Sequence, residues 1–157
     1  MDPNDNLSYL LYHTANIMYR QCDQVLQERL GIGMSQFKIL MILQQHASIQ
    51  QRVLADCLGQ TEASVSRQIK IMVDKGMLVV KVNPESRREH VTQPTTKGIK
   101  VATAAQEILR EYNAPALEQL KGKQREQFAE MLRLVHGFYC SSGKPFAINH
   151  QQFNTKN

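Results

Sequence analysis

The chain reads as a mainly α-helical protein with a small β-wing: a winged helix-turn-helix unit set between an N-terminal helix and two C-terminal helices. Three observations predict this. Apolar residues recur at three- and four-residue spacing over long stretches at both ends of the chain. Two short helical patterns meet across a tight turn containing Gly59, as in a helix-turn-helix unit. Directly after them, two β-branched runs flank the stretch Asn-Pro-Glu-Ser-Arg-Arg-Glu-His-Val, which reads as the loop of a hairpin.

In chain order, residues 7–30 form a long helix on the spacing of Leu7, Leu10, Leu11, Ala15, Met18, Cys22, Val25 and Leu26, stopped by Gly31 and Gly33. Ser35 is expected to cap a second helix, 36–45, apolar through Phe37, Leu40, Met41 and Leu43. Residues 47–49 are a short extended link. A third helix, 51–58, ends at Gly59; Leu54 and Leu58 face the core, and Ala55 is small where two helices must cross. Thr61 is the N-cap of a fourth helix, 62–75, which stops at Gly76. Short strands follow at 78–82 and 90–92. Thr95 or Thr96 starts a long helix that Pro115 is expected to kink or break, because proline lacks the helix donor and clashes with the preceding turn. The last helix, 123–139, carries Phe128, Met131, Leu132, Val135, Phe138 and Tyr139 on one side. Residues 141–157 are a largely polar tail.

Composition narrows the function classes. Of 157 residues, 42% are hydrophobic, enough for a real core. No apolar run is long enough to span a bilayer, and the first residues have neither the basic nor the apolar region of a signal peptide, so a cytoplasmic protein with no membrane partner is expected. The three cysteines are too widely spaced for a disulfide framework or a Cys-x-x-Cys site, and no two histidines lie four apart, so no metal is expected. A glycine-rich phosphate loop and a Gly-x-Ser-x-Gly elbow are both missing, so neither an enzyme nor a cofactor is expected.

The net charge of +5 is concentrated. Between residues 60 and 100 eight basic residues (Arg67, Lys70, Lys75, Lys81, Arg87, Arg88, Lys97, Lys100) face four acids (Glu62, Asp74, Glu85, Glu89). Such clustering suits a phosphate-facing surface, although a solvated face would also show it. On the fourth helix Val65, Ile69, Met72 and Val73 share one face and point inward. Ala63, Ser66, Arg67 and Lys70 lie roughly opposite, with Ser64 and Gln68 on the flanks. Small residues let a helix enter a major groove; Arg and Gln can bond base edges, Ser a base or a phosphate, and Lys supplies charge. An ordinary amphipathic surface helix would show the same pattern; the helix-turn-helix context favours a DNA reader.

The stretch VLADCLGQTEASVSRQIKIMVDKGMLVVKVNPESRREHVTQPTTKG resembles the centre of a MarR-type transcriptional regulator. The likeness rests on Leu54-Ala55 with Leu58, Val65-Ser66-Arg67, Lys75-Gly76-Met77-Leu78, the paired Arg87 and Arg88, and Thr95 with Gly98, and extends over residues 7–139. Ser86 stands where the family has a wing acid, and Pro94 where it has a leucine. The resemblance implies a division into an N-terminal dimerisation helix (1–30), a winged helix-turn-helix region (31–95), C-terminal dimerisation helices (96–140) and the tail (141–157). It further implies a homodimeric repressor on a pseudo-palindromic operator in double-stranded DNA, contacted by Thr61, Ala63, Ser64, Ser66, Arg67, Gln68 and Lys70 and by Arg87 and Arg88 of the wing. Relief by a small aromatic or anionic ligand is also implied, in a cleft to which Tyr12, His13, Tyr19, Phe37 and Met41 are assigned. Two other readings are a winged-helix protein-interaction module and an oxidant sensor acting through Cys22.

Overall fold

The structure, a computed structural model, describes residues 6–46, 48–83 and 86–141, and the side chains of these apart from 83, 86–89, 140 and 141. The element order is α1 (Leu7–Leu30), α2 (Met34–Gln45), β1 (Ile49–Gln50), α3 (Gln51–Leu58), α4 (Glu62–Asp74), β2 (Leu78–Asn83), β3 (Ser86–Pro94), α5 (Thr96–Leu117) and α6 (Lys123–Ser141).

Local signals set most of the helix ends. The Asn6 side chain accepts from the Tyr9 amide at 3.1 Å, and α1 closes on Gly31 at φ 65°. α3 closes on Gly59 at φ 61°, which turns the chain between the two helices of the helix-turn-helix. Thr61 accepts from the Ser64 amide at 3.2 Å and opens α4; Thr95 accepts from the Gly98 amide at 3.1 Å and opens α5.

Three expectations need correction. α2 begins two residues earlier than expected, and Ser35 is not its cap. The Asp23 carboxylate of α1 accepts from the Met34 amide at 2.7 Å, so the first helix supplies the anion that the start of the second requires. The extended link after α2 becomes a true strand: Ile49 and Gln50 pair antiparallel with Thr92 and Val91, giving sheet order β1-β3-β2. And α5 does not break at Pro115 but runs on to Leu117, ending within one turn of the proline that lacks a helix donor.

The wing also differs from the expected loop. β3 starts at Ser86, so the backbones of Arg87 and Arg88 lie within a strand. Pairing is regular from Leu78↔Pro94 to Val82↔His90 and then shifts register to Asn83↔Ser86. Pro94, without a donor, sits at the strand end, where its missing hydrogen bond costs least.

The core lies where α2, α3, α4, the base of the wing and the first half of α5 converge. Leu26, Ile39, Leu40, Leu43, Leu54, Val65, Ile69, Met72, Leu78, Ala102 and Ala105 are all buried there. Burying each large aliphatic contributes about 1.5–3 kcal/mol, so this region is the stable body on which α4 and the wing are mounted. The two ends of the chain behave differently: only Cys22 and Leu26 of α1 are buried, and none of the described side chains of α6 is. Among the described residues no helix is long and apolar enough to cross a membrane.

Candidate nucleic-acid interface

α4 is held to the body by Val65, Ile69 and Met72, each at most 2% exposed. That anchoring forces the opposite face outward. Thr61, Ala63, Ser64, Ser66, Arg67 and Lys70 are all exposed. Among the described residues neither Arg67 nor Lys70 has an ion-pair partner, so both cations are free to meet an external anion. Gln68 departs from the expected set. It is half-buried, and its side-chain oxygen accepts from Gln36 Nε2 at 3.1 Å, so it ties α4 to α2. The Thr61 hydroxyl is likewise engaged as the helix cap. The outward face of α4 is therefore Ala63, Ser64, Ser66, Arg67 and Lys70. The side chains of Arg87 and Arg88 lie outside the described residues; their strand runs in the wing, beside this face in chain order.

What fixes the orientation of α4 is a set of ties at its C-terminal end that the sequence pattern did not disclose. Lys75 Nζ donates to the Gly31 carbonyl at 2.6 Å, and Lys97 Nζ donates to the Lys75 carbonyl at 2.7 Å. The Thr95 hydroxyl reaches the Gly76 carbonyl at 2.7 Å. Lysines placed over orphan carbonyls at a helix end are favoured by the helix dipole. Together they join the end of α4, the end of α1 and the start of α5.

The residues expected to line a ligand cleft separate. A cleft of about 620 Å³ opens between α1, α2, α5 and α6, lined by Met18, Phe37, Leu109, Arg110, Asn113 and Arg125 among others. Phe37 is in it. Met41 sits at its edge, with Gln106 Nε2 against its sulfur. Tyr12, His13 and Tyr19 are not among its lining residues. At about 100° per residue, Tyr12 and His13 lie about 120–140° around α1 from Met18, and Tyr19 about 100° away. Tyr12 is instead 72% exposed, His13 stacks on Tyr9 with ring centroids 5.3 Å apart, and Tyr19 carries Lys38 Nζ over its ring at 4.9 Å. The charged residues of the cleft, Arg110, Arg125 and Glu118, come from α5, the turn after it and α6, a set missed in the sequence because no local motif joins them. Arg110 is paired with Glu107, whose carboxyl it holds below the usual carboxylate range through its hydrogen bonds.

Cys22 is 5% exposed between α1 and α5, within reach of the Asn113 side chain at 3.5 Å. Shielded in this way it behaves as a small buried hydrophobe, not as a group presented to oxidants. Cys57 is half-buried, and burial, with the Asp56 charge beside it, pushes its thiol up.

Comparison with known proteins agrees with this geometry. Residues 30–89 match the family model described as MarR family. The chain is 25% identical over 126 residues to the HTH-type transcriptional repressor Rv2887 of Mycobacterium tuberculosis, covering 80% of this chain and 90% of that protein. The wild-type MarR of E. coli superposes with a TM-score of 0.75 over 83% of this chain and 96% of that one, at 20% identity, a likeness of fold. MepR of S. aureus, in a structure of its complex with DNA, superposes with a TM-score of 0.70 at 26% identity, covering 83% and 96% of the two chains.

Proposed function

We propose that the chain, whose residues 30–89 match the MarR family model, is a repressor of that family that binds a pseudo-palindromic operator as a homodimer and is released by a small ligand. A DNA-binding regulator, and not an enzyme, is what its relatives are: Rv2887 is described as a repressor, and MepR is seen with DNA. One observation carries the reading for this chain: the exposed face of α4 presents Ser64, Ser66, Arg67 and Lys70 around the small Ala63, with Arg67 and Lys70 free of ion pairs among the described residues. A helix so equipped fits the major groove, with the arginine able to bond a guanine edge in bidentate fashion. The arginines of the wing, Arg87 and Arg88, would reach the adjoining minor groove, where the potential over narrow A·T tracts is most negative.

Dimerisation is supported by the exposed apolar residues of the two ends. Phe128, Met131, Leu134, Val135 and Phe138 on α6 and Leu7, Leu10 and Leu11 on α1 are all exposed in the single chain. A second copy covering them would place two α4 helices on successive major grooves, about 34–36 Å apart. The ligand reading rests on the cleft, whose apolar Met18, Phe37 and Leu109 lie beside Arg110 and Arg125, a lining suited to a small aromatic acid. Such a ligand acts only if it binds the DNA-competent spacing of the two α4 helices less well than another spacing.

Fluorescence anisotropy on the promoter DNA next to the protein's own gene tests the proposal. Saturable binding that is tighter than to a random duplex of equal length is the expected result. Equal affinity for both sequences at moderate salt would remove the repressor reading.

A further inference from the structure

Away from α4 and the ligand cleft, a concavity of about 270 Å³ lies at the junction of β1, α3 and β3, lined by Gln50, Gln51, Arg52 and His90. Tertiary structure alone brings these residues together. The Gln50↔Val91 pair of the β1–β3 ladder sets the start of α3 against the base of the wing, so Arg52 and His90, far apart in sequence, line one hollow. Both side chains are exposed, and among the described residues neither has an ion-pair partner. Asp56, one helical turn beyond Arg52, is positioned for an i,i+4 pair but makes none.

We propose that Arg52 and His90 form a phosphate-holding point that grips the DNA backbone between the recognition helix and the wing. The inference rests on the DNA-binding reading above. The first helix of a helix-turn-helix unit crosses the DNA backbone, and here the start of that helix sits against the strand that carries the wing arginines. The hollow offers a guanidinium fork and an imidazole, donors that suit a phosphate diester and carry no base preference. It sets the depth and angle at which α4 enters the groove, without itself choosing sequence.

The test titrates the full-length protein and its Arg52→Ala, Arg52→Lys and His90→Ala variants against the operator and a random duplex across a salt series, with Arg67→Ala in parallel. Both residues are exposed, so the folds of the variants should be intact by circular dichroism. Arg52→Ala should weaken both duplexes alike, by about 3- to 10-fold at moderate salt, and lower the salt slope by about one. Arg52→Lys should restore most of the loss because the charge remains. His90→Ala should weaken both duplexes in the same proportion but less. Unchanged affinity and slope for Arg52→Ala, while Arg67→Ala abolishes operator preference, overturns the phosphate point and leaves the DNA-binding function standing. A loss confined to the operator also overturns it, since that signature belongs to base reading. So does stabilisation of the parent by inorganic phosphate that vanishes in Arg52→Ala with DNA affinity unchanged, which would mark a free-anion site. If the parent fails to bind either duplex, the function itself falls.

Discussion

Arg67 and Gln68 are neighbours on one helix, yet the fold gives them opposite duties. Arg67 stands in solvent, whereas the Gln68 side-chain oxygen accepts from Gln36 Nε2, on a residue only 7% exposed. Arg67→Ala should leave stability within about 0.5 kcal/mol and cost about 1–3 kcal/mol of operator binding with relaxed preference. Lys70→Ala should weaken all duplexes alike. Gln68→Ala should do the reverse of Arg67→Ala: it strands the buried Gln36 amide, at a cost of about 1–3 kcal/mol in stability, read from denaturant midpoints. Gly98 is a second residue decided by its surroundings. A Cβ there would meet the Met77 carbonyl oxygen at 2.1 Å, a backbone atom already held by Thr95. Gly98→Ala should therefore cost about 1–3 kcal/mol and lower the melting temperature by several degrees in circular dichroism. Cys57, its thiol pushed up, should react with iodoacetamide at neutral pH more slowly than a free cysteine, because less thiolate is present.

At the scale of elements, α4 is aimed by its ends. Thr61 caps its start, and Lys75 and Lys97 link its finish to α1 and α5. Thr61→Ala should cost about 1 kcal/mol, through the Ser64 amide left without its acceptor. Lys75→Met keeps the apolar stem and removes the bond to the Gly31 carbonyl, so its stability cost should stay near 1 kcal/mol. Its larger expected effect is mechanical. With the tie cut, α4 can pivot on its buried face, so operator affinity should fall although no DNA-facing group has changed. Hydrogen exchange around residues 31–34 should quicken in the same variant; unaltered exchange and affinity would show that the tie carries no orientation.

For the whole molecule the decisive feature is imbalance. The middle of the single chain holds a closed core, while the described side chains of α6 include none that is buried, with Leu134 at 70% and Phe138 at 65% exposure. An apolar face of that extent calls for a cover, and in the proposed homodimer a second copy of the chain would cover it symmetrically. Sedimentation should give a dimer at micromolar concentration, and Val135→Glu with Phe138→Glu should give a folded monomer with much weaker operator binding, because each buried charge costs several kcal/mol. A folded monomer for the unmodified chain would remove the two-half-site arrangement.

The order of the helices and most of their bounds, the helix-turn-helix and the presence of a wing were legible in the sequence. They rest on local causes: apolar spacing, Gly31, Gly59 and Gly76 at the stops, and Thr61 and Thr95 at the starts. The inward and outward faces of α4 were legible for the same reason, since one helix period decides them. Tertiary structure alone decided the rest. Asp23 replaced Ser35 at the start of α2, β1 joined β3, Gln68 turned to Gln36, Arg110 and Arg125 entered the cleft in place of Tyr12 and His13, and Arg52 and His90 came to line one hollow. Each of these depends on groups distant in the chain, brought together by the angle and depth at which helices and strands pack on the shared core. Periodicity within a segment sets which face turns inward, and carries no record of what that face will meet.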